Sequence, residues 1–279
     1  RYIILFSGLI IFSGLESCKK ALTERMHSSI SPENFYKTPQ DAESALNGAF
    51  SGLREQTFYQ RSIYLITDLS SDEFHPNNAN NARVELYRGS CTPSNDLLYQ
   101  YWANAYITIK NSNDVITYVP EMEIDEAFKN NIVGNARFLR ALAYFDLVRM
   151  FGDVPLVLQN GGEQDLYATR ASAADIYDQI IEDLQFSEQN CLHAHEIPDD
   201  KIGRVSSEAA SAMLARVFLQ RGSSTFADGS DNQNALAQCG KVISYSQAHS
   251  NAVGFVNEYS DIFSISGKNG PESIFAIQF

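Results

Sequence analysis

The sequence predicts a mainly α protein, a tetratricopeptide-like helical superhelix with long inserted loops. Two observations point to helices in antiparallel pairs, and a third points to the insertions. Apolar residues recur at spacings of three and four along successive stretches, the mark of one-sided helices. Alanines recur within those faces at Ala-x-x-Ala and Ala-x-x-x-aromatic spacings, and small residues let neighbouring helices approach closely, as in helical-repeat solenoids. Between the helices lie segments dense in Asn, Ser, Pro and Asp with no helical period, so the repeat is degenerate and longer than a standard one.

The chain has 279 residues, enough for one large or two ordinary domains, and its 44% hydrophobic content can fill a core. Net charge is −13, a field that repels phosphate backbones and disfavours nucleic acid as a partner. The chain begins with Arg1. It closes on "ESIFAIQF", where Ile274, Ala276 and Gln278 alternate with Phe275, Ile277 and Phe279 as in a strand, and a strand needs a partner. The sequence therefore reads as a fragment cut at both ends.

Taken in order, the first element is the apolar run Tyr2 to Phe12. It is shorter than the roughly 20 residues that cross a bilayer and has the length of a secretory h-region, so residues 1–17 are expected to be a signal peptide. Cys18 stands where bacterial lipoprotein processing attaches diacylglycerol; Leu15 at −3 and Ser17 at −1 match that pattern, while Glu16 at −2 departs from it. Residues 18–33 then form a polar, lipidated tether. The remaining cysteines, Cys91, Cys191 and Cys239, are odd in number, which rules out a full disulfide framework; buried or idle thiols are expected.

Ser31-Pro32-Glu33 has the chemistry of a helix start. Ala42, Ala45, Leu46, Ala49, Phe50 and Leu53 make the next helical face. Residues 67–95 are read as one long loop. Helix resumes from Asp96, with Leu98, Trp102, Ala105, Tyr106, Ile109 and Val115 or Ile116 on one side, so Trp102 is expected in the core. The strongest signal covers residues 130–157. Ala136, Leu139, Ala143 and Leu147 form one stripe and Phe138, Leu142 and Phe145 a second, which implies burial on more than one side. Gly152 caps this helix, Pro155 prevents a restart, and Arg149 can pair with Asp146 or Asp153 on the helix surface. Later helices start at caps Ser172 and Ser206, the second ending at Gly222, and one more covers "NALAQCGKVISYSQA".

Chemical motifs are sparse. There is no G-x-S-x-G, H-E-x-x-H, P-loop or G-x-G-x-x-G. Asp72 and Glu73 are adjacent, and neighbours in extended chain point to opposite faces, so they do not form a catalytic carboxylate pair on their own. Cys191, His193 and His195 lack a second ligand cluster for zinc. The stretch from Asp228 fails the calcium-loop pattern at Gln233 and Cys239 and is read as a helix-capping loop.

The stretch "NARFLRALAYFDLVRMFGDVPLV" resembles the signature helix and turn of the SusD/RagB family, surface lipoproteins of Bacteroidetes. In order along the chain, "ISPENFYKTPQDAESALNGAFSGL", "YWANAYITIKNSNDVI", "GRVSSEAASAMLARVFLQRG" and "EYSDIFSISGKNGPESIFAIQF" resemble further family segments, so the likeness covers nearly the whole chain. The resemblance implies a truncated SusD-like helical domain over residues 34–279, with the second half of the fold beginning at about 255–279. It implies binding without catalysis; no cofactor or metal is expected. The expected place is the outer membrane, anchored through Cys18 and facing the cell exterior beside a SusC-like TonB-dependent transporter. Lys19 and Lys20 depart from the acidic residues that often follow the lipidated Cys in surface-directed lipoproteins. The ligand expected is an oligosaccharide, or a peptide in a RagB-like member. Open alternatives are a secreted helical-repeat scaffold for protein partners and a glycan-acting enzyme. A sugar site needs aromatic faces for stacking and amides for hydroxyls. The loop supplies them in Phe74, His75, Asn77, Asn78, Asn80, Asn81 and Tyr87, which are the candidate ligand residues.

Overall fold

The structure is a computed structural model that describes residues 32–77, 80–161 and 167–279. The expected signal peptide, the lipidation site at Cys18 and the tether up to residue 31 lie outside the described residues. Residues 36–279 form a single unit.

Its first long helix, α1, is Pro39–Leu53. Thr38 starts it with a capping box: the Thr38 hydroxyl accepts the Asp41 N–H, and the Asp41 carboxylate accepts the Thr38 N–H at 2.7 Å. Ala42, Leu46, Ala49 and Leu53 are fully buried, so the sequence-predicted face is the packed one. An irregular turn, Gln56–Gln60, inserts Phe58 into the core and leads to α2, Ser62–Asp68. Three further elements follow: α3, Asn81–Tyr87; α4, Asp96–Tyr118; and α5, Glu126–Phe151. After α5 the chain pairs β1, Val154–Pro155, antiparallel with β2, Arg170–Ala171. Helices α6, Ala173–Asn190, α7, Ser207–Gly222, and α8, Asp231–Ala248, complete the set.

Contacts along each pair run in opposite directions, so α1, α4, α5, α6, α7 and α8 stack as successive antiparallel neighbours. Asn111 on α4 donates to the Gly48 carbonyl on α1, and Gly52 lies against Thr108. On α5, Arg140 reaches Asp183 near the middle of α6, while the earlier Gly134 carbonyl accepts the Ser187 hydroxyl at 2.7 Å. Two crossings depend on glycine. A Cβ on Gly52 would sit 2.7 Å from Thr108 Oγ1, and one on Gly134 would sit 2.9 Å from Cys191 Sγ. Cys191 is thus a packing thiol, and burial pushes it up from its ordinary pKa.

Helix α5 is buried on more than one side, as its two stripes predict, and Gly152 leaves it with φ +70. Polar groups line its core contacts. Arg140 donates twice to Asp183, at 2.8 and 2.7 Å, and once to Asn113 Oδ1 at 2.9 Å. Burial pushes the Asp183 carboxyl up, while the Arg140 and Arg137 guanidiniums pull it down. The connector after α5 is held by side chains: Tyr144 donates to the Val157 carbonyl and accepts the Val157 N–H, and Tyr106 donates to the Pro155 carbonyl.

Four sequence expectations need correction. Residues 67–95 are not all loop, because Asn80 caps a short helix that buries Leu86. The buried centre of α4 is Leu97, Tyr101, Ala105, Thr108 and Ile109; Trp102 packs edge-on to Phe151 at the rim and is half-buried. Asp146 is not a surface partner of Arg149. It is buried and accepts from Tyr59 (2.5 Å), Tyr101 (2.8 Å) and Arg149 (2.5 Å). Residues 272–279 take no strand ladder; Phe275 instead packs edge-on to Phe138. Among the described residues, no helix is long and apolar enough to cross a membrane.

Candidate functional site

The predicted ligand residues fall between α2 and α4. Hydroxyl groups finish α2: Ser70 donates to the Ile66 carbonyl and Ser71 to the Asp68 carbonyl. The chain then passes through Phe74 and His75 to Pro76, which is buried and fixes the loop against the body. Asn80 Oδ1 accepts the Arg83 N–H at 3.1 Å and starts α3. One residue couples this unit to α4. Asn95 is buried; its Nδ2 donates to the Ala82 carbonyl and to Glu85, while its Oδ1 caps α4 through the Leu97 and Leu98 N–H groups. The loop and α3 therefore ride on the head of a core helix.

The structure brings some of the predicted residues together. The His75 and Tyr87 rings lie 4.8 Å apart, tilted by 58°. Phe74 and Tyr87 expose large aromatic faces, 50% and 40% respectively, in a region where apolar area has no internal partner. Asn77 and Asn81 are exposed, and their amides make no hydrogen bond within the described residues. Asn80 differs, since its acceptor is spent on the cap. Asn78 lies outside the described residues. The arrangement offers rings for stacking and free amides for hydroxyls. Asp72 and Glu73 are exposed neighbours on the same loop.

The other sequence candidates have structural roles. Asp231 receives Arg221 through both carboxylate oxygens, and its Oδ2 accepts the Asp228 N–H, so the acidic turn is a helix-start loop. Cys191 packs, whereas His193 pairs with the buried Glu208 at 2.6 Å. Among the described residues, no group of three or more His, Cys, Asp or Glu could hold a metal ion. Two features escaped sequence reasoning. One is the Asp146 hub, which joins residues 45 and 87 positions apart. The other is a cavity of about 1070 Å³ between the α5 and α7 faces, at Phe138, Leu142 and Met213, and residues 256–278. None of the predicted ligand residues lines it.

Residues 26–219 match the model of a SusD-like family described as starch-binding and associating with the outer membrane. A SusD-like protein of Formosa agariphila is 28% identical over 229 residues, covering 80% of this chain and 43% of the relative. A SusD-like protein of Bacteroides ovatus is 25% identical over 289 residues, covering 100% of this chain and 50% of the relative. Among solved structures, a laminarin-binding SusD-like protein superposes with a TM-score of 0.73 at 24% identity, over 86% of this chain and 51% of that one. A structure with a xylogluco-oligosaccharide gives a TM-score of 0.68 at 28% identity, over 84% of this chain and 46% of that one. The chain spans about half the length of the curated relatives it matches.

Proposed function

Because this chain belongs to the SusD-like family of starch-binding, outer-membrane-associated proteins, we propose that it is the glycan-binding component of a surface nutrient-uptake pair. In this reading it is anchored through a lipid on Cys18 and faces the cell exterior. It captures an oligosaccharide and passes it to a SusC-like TonB-dependent transporter. Residues 255–279 begin the second half of the fold. The protein acts by binding alone, without turnover and without a cofactor. The observation that carries this reading is the family match over residues 26–219, joined to the antiparallel superhelix. Relatives that bind laminarin and a xylogluco-oligosaccharide support a glycan as the ligand class. Phe74, His75, Asn77, Asn78, Asn80, Asn81 and Tyr87 are the proposed contact set, with Phe74 and Tyr87 as stacking faces and the free amides of Asn77 and Asn81 as hydroxyl partners.

Calorimetry with laminari-, xylogluco- and malto-oligosaccharides, and with a peptide panel, tests the reading. We expect at least one glycan series to bind without product formation, and Phe74→Ala with Tyr87→Ala to weaken it by about tenfold, the equivalent of about 1.4 kcal/mol of stacking. Exclusive peptide binding, or release of shorter sugars, would overturn the glycan reading. Unchanged affinity in the double variant would overturn the site. Cys18→Ala should release the protein from membranes, and a pull-down from outer-membrane extract should recover a TonB-dependent barrel.

A further inference from the structure

The motif at residues 191–196 takes no part in the function just proposed, yet it borders a second cavity. This cavity, of about 350 Å³, is lined by Glu188, Gln189, His193, Glu208, Lys241 and Tyr245, from α6, the α6–α7 connection, α7 and α8. Its size is at the small end of ligand pockets, which run to about 300–1,000 Å³. The geometry points to a second saccharide subsite here, one that takes a single neutral pyranose.

The walls are preset. Tyr245 and His193 lie nearly parallel, 5.6 Å apart at 17°, and His249 stacks behind Tyr245 at 4.5 Å and 23°. Tyr245 is also fixed by its hydroxyl, which accepts the His195 N–H at 3.1 Å and sits 2.7 Å from His195 Nδ1. Glu208 is buried and has both oxygens occupied, one by His193 Nδ1 and one by the Ala194 N–H. It therefore orients the imidazole and leaves Nε2 without a partner. Glu188 Oε1 receives the Ser211 hydroxyl and Lys241 Nζ, at 2.6 and 2.7 Å, which leaves its second oxygen open. Gln189 is exposed and its amide makes no hydrogen bond among the described residues. An acceptor, an amide and an imidazole nitrogen around one cavity suit the alternating hydroxyls of a sugar ring. Two carboxylates line the cavity, and its single lysine is already paired with one of them, so an anionic sugar is repelled.

This inference rests on the glycan-binding reading but concerns a different place, and the test separates the two. The full chain, isotope-labelled, is titrated with methyl β-glucoside, methyl β-galactoside, methyl β-xyloside and glucuronate while amide and imidazole resonances are followed. We expect saturable shifts at Gln189, His193 and Ala194 with at least one neutral glycoside and none with glucuronate. Tyr245→Ala should abolish them. Gln189→Ala, on an exposed helix face that leaves the fold intact, should weaken binding by about fivefold. The Phe74→Ala/Tyr87→Ala variant should leave these shifts unchanged. The subsite is overturned if no glycoside gives a saturable shift there, if glucuronate shifts the same resonances equally, or if the loop variant removes the response. Oligosaccharide binding in calorimetry with silent resonances here would leave the proposed function standing and remove only this subsite.

Discussion

Replacing Asp183 by Ala would leave the Arg140 guanidinium buried without its counter-ion. Arg140 is 3% exposed and would keep only the Asn113 and Leu158 oxygens as acceptors, at 2.9 and 3.4 Å. Removing one partner of such a pair costs about 3–5 kcal/mol. That is a large part of the roughly 5–15 kcal/mol that holds a domain folded. Replacing both charges, as Arg140→Met with Asp183→Leu, removes the stranded cation and refills the volume. What remains are Asn113 Oδ1 and the more distant Leu158 carbonyl, which lose this donor and together cost about 1–3 kcal/mol. The double variant should therefore be more stable than Asp183→Ala alone by about 2 kcal/mol. Urea unfolding followed by circular dichroism reads both. With a slope near 3 kcal/mol per molar, a loss of about 4 kcal/mol moves the midpoint down by about 1.3 M. If Asp183→Ala costs less than about 1 kcal/mol, or if the double variant is no better than the single, the buried pair is not what α5 and α6 depend on and the reasoning fails.

Two further outcomes are expected. Gly52→Ala should destabilise by about 1–3 kcal/mol, since its Cβ would meet Thr108 Oγ1 at 2.7 Å; adding Thr108→Ala should recover most of the loss in the same urea assay. The Thr38 hydroxyl and backbone N–H hold the Asp41 carboxyl below its ordinary value. The stabilisation is thus present above the ordinary carboxylate pKa and fades as pH falls through the lowered one. Thr38→Ala should raise the Asp41 pKa toward its ordinary value in an NMR titration, and its melting-temperature deficit should shrink in acid; an unmoved Asp41 would refute the cap.

The helices were legible because their apolar periods are long and their caps sit at the right places. Of the N-caps, Ser172 and Ser206 are read from the sequence, whereas Thr38, Asn80, Asn95 and Asp125 are not. The register of α4 was misread because its packed face includes Asn104, Thr108, Ser112 and Asn113. Asn104, Thr108 and Asn113 are buried through hydrogen bonds such as Asn104 to the Gln100 carbonyl, so a count of apolar residues rotates the face toward Trp102 and Tyr106. Helix α3 escaped because its few apolar residues follow an Asn-rich run, whose last member but one is its cap. At the candidate site, the sequence offers residue types for a sugar contact and says nothing of their geometry. The His75–Tyr87 contact and the anchoring of the loop through Asn95 join residues 10 to 13 positions apart across loop and helix, where spacing carries no rule. The Asp146 hub spans 87 positions to Tyr59, and a lone Asp beside an Arg on a helix looks like a surface pair.

The clasp on the connector after α5 has a consequence for how this scaffold can be modified. Tyr106, Tyr144, Asn113 and Arg140 grip residues 155–158 through their backbone oxygens and one N–H. Those handholds are made to main chain, so they are indifferent to which side chains the connector carries. Side-chain substitutions at Val157 and Leu158 that keep the backbone path should therefore leave these hydrogen bonds in place.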